Sequence, residues 1–246
     1  MVAPPVVVTS VGAAFSHRSR AYNPGVLETL EVETGPRPTA AVIWLHGLGA
    51  DGHDFEPIVP ELALADTLAV RFVFPHAPMR PVTINGGMIM RAWYDILSLE
   101  GVRREDDAGV RAAQASVEAL IAREHARGVP ASRLVLAGFS QGGAIALQTG
   151  LRHAERLAGI MALSTYLPLA STLAAEASPA NRAVPIFMAH GRHDSLIPIE
   201  RATISREALR KAGYDVEWHD YPMEHAVCGE EIADIAAWLN AVIPAR

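Results

Sequence analysis

The second half of the chain alternates short apolar runs with amphipathic stretches of about 10–15 residues, and this alternation limits the fold more than any other feature. "SRLVLAG" has the texture of a strand, "SQGGAIALQTGLRH" of a helix and "LAGIMALS" of a strand. "VPIFMAHG", "IERATISREALRKAG", "YDVEWHDYP" and "EEIADIAAWLNAVI" continue as strand, helix, strand and helix. Strands joined through helices form right-handed βαβ crossovers, which build a mostly parallel sheet covered on both faces. Apolar runs without alternation, such as "AAVIWL" at Ala40–Leu45 and "VRFVFP" at Val70–Pro75, suit strands buried on both sides. "LETLEVE" has period two and reads as an edge strand. Between these strands, Val110, Ala113, Val117, Leu120 and Ile121 fall at helical spacing, and Gly128 and Pro130 end that helix. At 246 residues, with no internal repeat or composition break, the chain is expected to form one α/β domain over residues 26–246.

Residues 1–25 contain no acidic side chain and carry Arg18 and Arg20 after an apolar stretch. A secretory signal has the opposite order, so this segment reads as a poorly ordered or atypical N-terminal extension. The net charge of −6 and the absence of a Lys/Arg-rich run argue against a nucleic-acid partner. No apolar run approaches the roughly 18 residues that a membrane span needs. Cys228 is the only cysteine, so no internal disulfide is available, and a cytoplasmic location is expected. Oligomeric state is not legible.

The turn "AGFSQGG" sets Ser140 between Gly138 and Gly142 where a strand becomes a helix. A nucleophile on such a turn needs small residues two before and two after it, because strand and helix approach closely there. Taken alone, the motif fits a helix-capping serine equally well. In this architecture an acid and a base follow the serine in that order, each on a loop leaving a strand. Asp194 in "HGRHDSLIP" and His225 in "YPMEHAVCGEE" meet that condition. His190 and His193 precede the acid, and His219 falls inside the last strand. The residue after the nucleophile, Gln141, offers one backbone N–H to an oxyanion, and the loop "HGLGADG" offers a second at Leu48. Metal ligation by His190, His193 and Asp194, or by His46 with His53, is the competing account. No H-E-x-x-H or related spacing supports it, and no metal is expected.

Together "HGLGADG", "PHAPMRPVTINGGMIMRAWYDI", "AGFSQGGAIAL", "HGRHDSLIP" and "YPMEHAVCGEEI" resemble the phospholipase/carboxylesterase family of α/β-hydrolases, from about Thr39 to the C-terminus. That family includes bacterial carboxylesterases and acyl-protein thioesterases. The resemblance implies a single-domain α/β-hydrolase without a large lid domain. It implies Ser140 as nucleophile, Asp194 as acid, His225 as base, and the Leu48 and Gln141 N–H groups as the oxyanion hole. It implies no cofactor. The expected substrate is a small-molecule acyl ester of small to medium chain length, with acyl-protein thioesterase or lysophospholipase as the alternative. A catalytically silent binding protein is the alternative of another class. Met88, Trp93, Leu167 and Leu196 fall on or near loops at the active edge and are candidate substrate contacts, or else core filling.

Overall fold

A computed structural model describes residues 16–17, 27–65, 67–98 and 105–243. Its strands are β1 (Ser16–His17), β2 (Thr29–Glu33), β3 (Ala40–Leu45), β4 (Val70–Pro75), β5 (Met79–Val82), β6 (Met88–Arg91), β7 (Leu134–Phe139), β8 (Gly159–Leu163), β9 (Ile186–Gly191) and β10 (Val216–Tyr221). The α-helices are α1 (Asp107–Ala126), α2 (Gln141–Gly150), a single turn α3 (Leu173–Glu176), α4 (Ile199–Lys211) and α5 (Gly229–Val242). The main sheet runs β1-β2-β4-β3-β7-β8-β9-β10. β2 is antiparallel to both β1 and β4, and the pairs from β4 through β10 are parallel.

The apolar runs keep period two even where every residue is buried. In β3, Ala41, Ile43 and Leu45 face one core, while Ala40, Val42 and Trp44 face the other. Leu134 and Leu136 against Val135 and Ala137 repeat the split in β7. The first core is closed by Val110, Val117, Leu120 and Ile121 of α1 and by Ala144–Leu147 of α2. The second is closed by Ile235, Trp238 and Leu239 of α5 and by Ile58, Val59 and Leu62. Each strand therefore needs apolar residues on both faces, which is why it shows no polar alternation. α1 begins at Asp106, whose side chain accepts the Gly109 N–H at 2.9 Å, and the turn after it holds Gly128 at φ 91°.

One expectation changes. β2 is not the sheet edge, because Ser16 and His17 pair with Glu33 and Val32 on its outer side. After β4, β5 and β6 form a separate antiparallel hairpin whose turn places Gly86 and Gly87 at positive φ. The Asn-Gly-Gly sequence carries the hairpin signal, since those φ values favour glycine. Apart from Ser16 and His17, the expected N-terminal extension over 1–25 lies outside the described residues. No lid domain is inserted among the described residues.

Candidate active site

The strand order reverses direction between β3 and β7: the chain goes outward from β3 to β4, then returns to the other side of β3. Open α/β sheets hold ligands at such a switch point, beyond the carboxyl ends of the strands. Leu45 and Gly138 are paired in register there, so the loop after β3 and the turn after β7 leave side by side.

Ser140 occupies that turn at φ 55°, ψ −120°, a left-handed conformation that costs a serine energy. The turn is tight because the neighbours have no Cβ. A Cβ on Gly138 would lie 2.3 Å from the Gly142 carbonyl carbon, and one on Gly142 would lie 2.2 Å from the Leu45 oxygen. Although Ser140 precedes α2, its side chain makes no capping hydrogen bond, so the alternative of a helix-capping serine is not what the turn contains.

Asp194 follows β9 and His225 follows β10, two parallel neighbours paired to their last residues, Gly191 and Tyr221. Asp194 Oδ2 lies 2.6 Å from His225 Nδ1. The other carboxylate oxygen accepts the Leu196 and Ile197 N–H groups at 2.9 and 2.8 Å, which fixes the carboxylate plane. The His225 ring packs against Phe139 with centroids 4.7 Å apart. Ser140 and His225 both line a cavity of about 350 Å³, together with Leu48 and Gln141. In the loop after β3, the Gly49 N–H is spent on the Arg91 carbonyl at 2.9 Å. His219 instead stacks on Phe187, with centroids 5.0 Å apart, on the outer part of β10.

Of the four candidate substrate contacts, Leu196 lines the cavity and is 68% exposed. The other three lie elsewhere. Met88 projects from the hairpin at 63% exposure, and Leu167 is core at 6%. Trp93, 1% exposed, is a strut: its indole N–H donates to the His46 carbonyl at 2.9 Å. The walls come instead from Ile84, Tyr94, Ile96, Phe139, Tyr166 and Ile197. Tyr94 and Ile96 stand just beyond Trp93 in "WYDI", so that segment reaches the cavity through other side chains than the candidate. The Gln141 side chain is a strut too. Its Oε1 accepts the Trp93 N–H at 2.7 Å and its Nε2 donates to the Tyr94 carbonyl at 2.8 Å. Sequence gave no sign of this, because the amide bridges residues 48 and 47 positions away.

Polar groups around the site are largely committed. His46 is buried, and desolvation holds its pKa down at about 4. His190 is also lowered by burial, and its Nε2 lies 2.7 Å from the Ile197 carbonyl. Asp51, His53 and His76 bring three potential ligand atoms within 4.8 Å of one another. The donor set fits an ion poorly: His76 Nδ1 accepts the Gly52 N–H at 3.1 Å, which leaves the proton of the neutral ring on Nε2. Asp51 Oδ1 is already shared by the His53 N–H and ring nitrogen, each at 2.9 Å.

An eight-stranded, mostly parallel sheet with a strained serine turn at its switch point defines an α/β-hydrolase. The sequence model of the Phospholipase/Carboxylesterase family matches residues 28–243, and the chain belongs to that family of esterase and thioesterase hydrolases. It is 40% identical over 238 residues to acyl-protein thioesterase 1 of Mycosarcoma maydis, covering 90% of this chain and 99% of that one. With acyl-protein thioesterase 1 of Neurospora crassa it shares 43% identity over 218 residues, 85% of this chain and 89% of that one. The crystal structure of Zea mays acyl-protein thioesterase 2 superposes with a TM-score of 0.77 at 29% identity, covering 87% and 99% of the two chains. None of the helices described is long and apolar enough to cross a membrane.

Proposed function

We propose that this protein is a serine hydrolase of carboxylic esters and thioesters that works through a Ser140 acyl-enzyme. The observation that carries the reading is the 2.6 Å contact between Asp194 and His225 at the rim of the cavity that Ser140 also lines. Ser140 Oγ attacks the substrate carbonyl carbon while His225 Nε2 takes its proton. Asp194 holds the proton on His225 Nδ1 and stabilises the imidazolium. The carbonyl oxygen becomes an oxyanion and is held by the Leu48 and Gln141 N–H groups. Collapse of the tetrahedral intermediate breaks the C–O or C–S bond, and His225 protonates the departing alcohol or thiol. Water, deprotonated by His225, then attacks the acyl-enzyme, and the free acid leaves as Ser140 recovers its proton. Apart from that water, these steps use side chains and backbone N–H groups alone.

The lining of Leu48, Ile84, Ile96, Leu196 and Ile197 supports an acyl chain of small to medium length as the group bound there. A second reading, release of acyl groups from protein thioesters, is favoured by the similarity to relatives named acyl-protein thioesterase. The single cysteine and acidic charge balance support a cytoplasmic setting. A series of p-nitrophenyl esters and matched thioesters of increasing chain length separates the two readings. Peak kcat/KM on short and medium esters supports the first, and a steep preference for long-chain thioesters supports the second.

A further inference from the structure

We propose that His46 and Thr165 are positioning residues that aim the two N–H groups of the oxyanion hole by gripping the carbonyls behind them. The inference rests on Leu48 and Gln141 being the hole donors. A trans peptide unit is planar, and its C=O points opposite to the N–H of the next residue. Whatever fixes the Gly47 carbonyl therefore fixes the Leu48 N–H, and whatever fixes the Ser140 carbonyl fixes the Gln141 N–H.

Both carbonyls are held by a short side-chain bond. Gly47 O lies 2.7 Å from His46 Nδ1. The Ala77 N–H donates to His46 Nε2 at 3.0 Å, so the ring proton must sit on Nδ1 and be donated to Gly47. The only other contact on that carbonyl among those described is the Ala50 N–H at 3.4 Å, too long to orient it alone. The His46 ring is itself pinned by Trp93, at 5.3 Å between centroids. On the other side, Thr165 Oγ1 donates to Ser140 O at 2.6 Å, shorter than the Ala144 N–H contact of 3.2 Å on the same atom. Thr165 is brought there by Ser164, which turns the chain after β8 at φ 46°.

His46 and Thr165 are both buried and neither is among the residues that line the cavity, so they act through the peptides rather than on substrate. A hole donor left to swing loses part of the 10²–10³ that a fixed donor typically supplies. His46 and Thr165 hold one donor each, and they approach from opposite sides of the site.

The test compares Thr165→Val, which keeps shape and loses the hydroxyl, with Thr165→Ser, which keeps it. His46→Leu is paired with His46→Asn, whose amide nitrogen sits where Nδ1 does. Each variant is assayed for kcat, KM and inhibition by an alkyl boronic acid that mimics the tetrahedral oxyanion. Thr165→Val and His46→Leu are expected to lower kcat and boronate affinity about 10- to 100-fold with KM little changed, and Ser or Asn to restore most of both. Thr165→Val is isosteric and decides the case if His46→Leu does not fold. If kcat and boronate affinity stay within twofold of the parent, the positioning role is overturned while the proposed function stands. If the parent enzyme turns over without needing Ser140, both fall together.

Discussion

Asp194 and His225 are joined through Oδ2 and Nδ1 at 2.6 Å although 31 residues separate them in the chain. The sheet brings them together. β9 and β10 are parallel neighbours, and their loops leave at the same level. Gly191 permits the close approach, since a Cβ there would stand 2.2 Å from the Glu224 oxygen. The His193 N–H then ties the two loops by donating to the Met223 carbonyl at 3.0 Å.

That pairing predicts the effect of Asp194→Asn. The amide keeps the shape but offers an N–H to His225 Nδ1, which favours the wrong tautomer. Turnover should fall by about 10⁴ with little change in KM. Steady-state kinetics beside a thermal melt will check this; a variant that is folded and nearly as active as the parent would move the acid elsewhere.

Gln141→Ala separates the side chain from the backbone N–H of the same residue. Removing the amide leaves the buried Trp93 N–H and Tyr94 carbonyl without the partners they have now. The expected loss is about 1–3 kcal/mol of stability, the cost of leaving the buried Trp93 N–H unsatisfied. Urea unfolding measures it directly. A midpoint unchanged from the parent would mean that the 93–94 segment does not depend on this strut.

Much of this was legible in the sequence, and most of what was not has a common cause. Strand–helix alternation and the order of Ser140, Asp194 and His225 follow from local pattern and topology, both of which a sequence displays. Met88, Trp93 and Leu167 do not line the cavity, because an apolar side chain near a loop can face the site, the core or solvent, and only the tertiary path decides. Trp93 turned inward because its indole N–H meets the His46 carbonyl, 47 residues away. The roles of His46, Thr165 and the Gln141 amide likewise depend on bonds between distant segments. The hairpin β5–β6 is a different kind of miss: the Asn-Gly-Gly turn was present and readable.

The pH dependence of stability carries a sign. His46 is held neutral down to about 4 in the folded chain, against the ordinary 6.5. Between these values the unfolded chain binds the extra proton, so stability is lost as pH falls from about 6.5 toward 4. Its share is roughly 3 kcal/mol. His76 and His190, lowered in the same direction by burial, steepen the fall. Unfolding midpoints measured from pH 7 to pH 4 should decline through this window; a flat profile would contradict a neutral buried His46.

Glu231 acts at the other end. Burial raises its carboxyl from 4.5 to about 8, so the folded chain keeps a proton that the unfolded chain releases. Stability from this group falls as pH rises between those values. Glu231→Gln, neutral at every pH, should stabilise the protein more at pH 8 than at pH 5. Equal effects at both pH values would show that Glu231 is ionised in the folded state.

The most direct measurement concerns the strained serine itself. An alkyl fluorophosphonate is mixed with the enzyme, and the adduct is located by peptide mass spectrometry. A single adduct on Ser140 is predicted, with loss of hydrolysis in step with labelling and neither labelling nor turnover in Ser140→Ala. Stoichiometric labelling or hydrolysis that persists in Ser140→Ala would contradict the account at its centre.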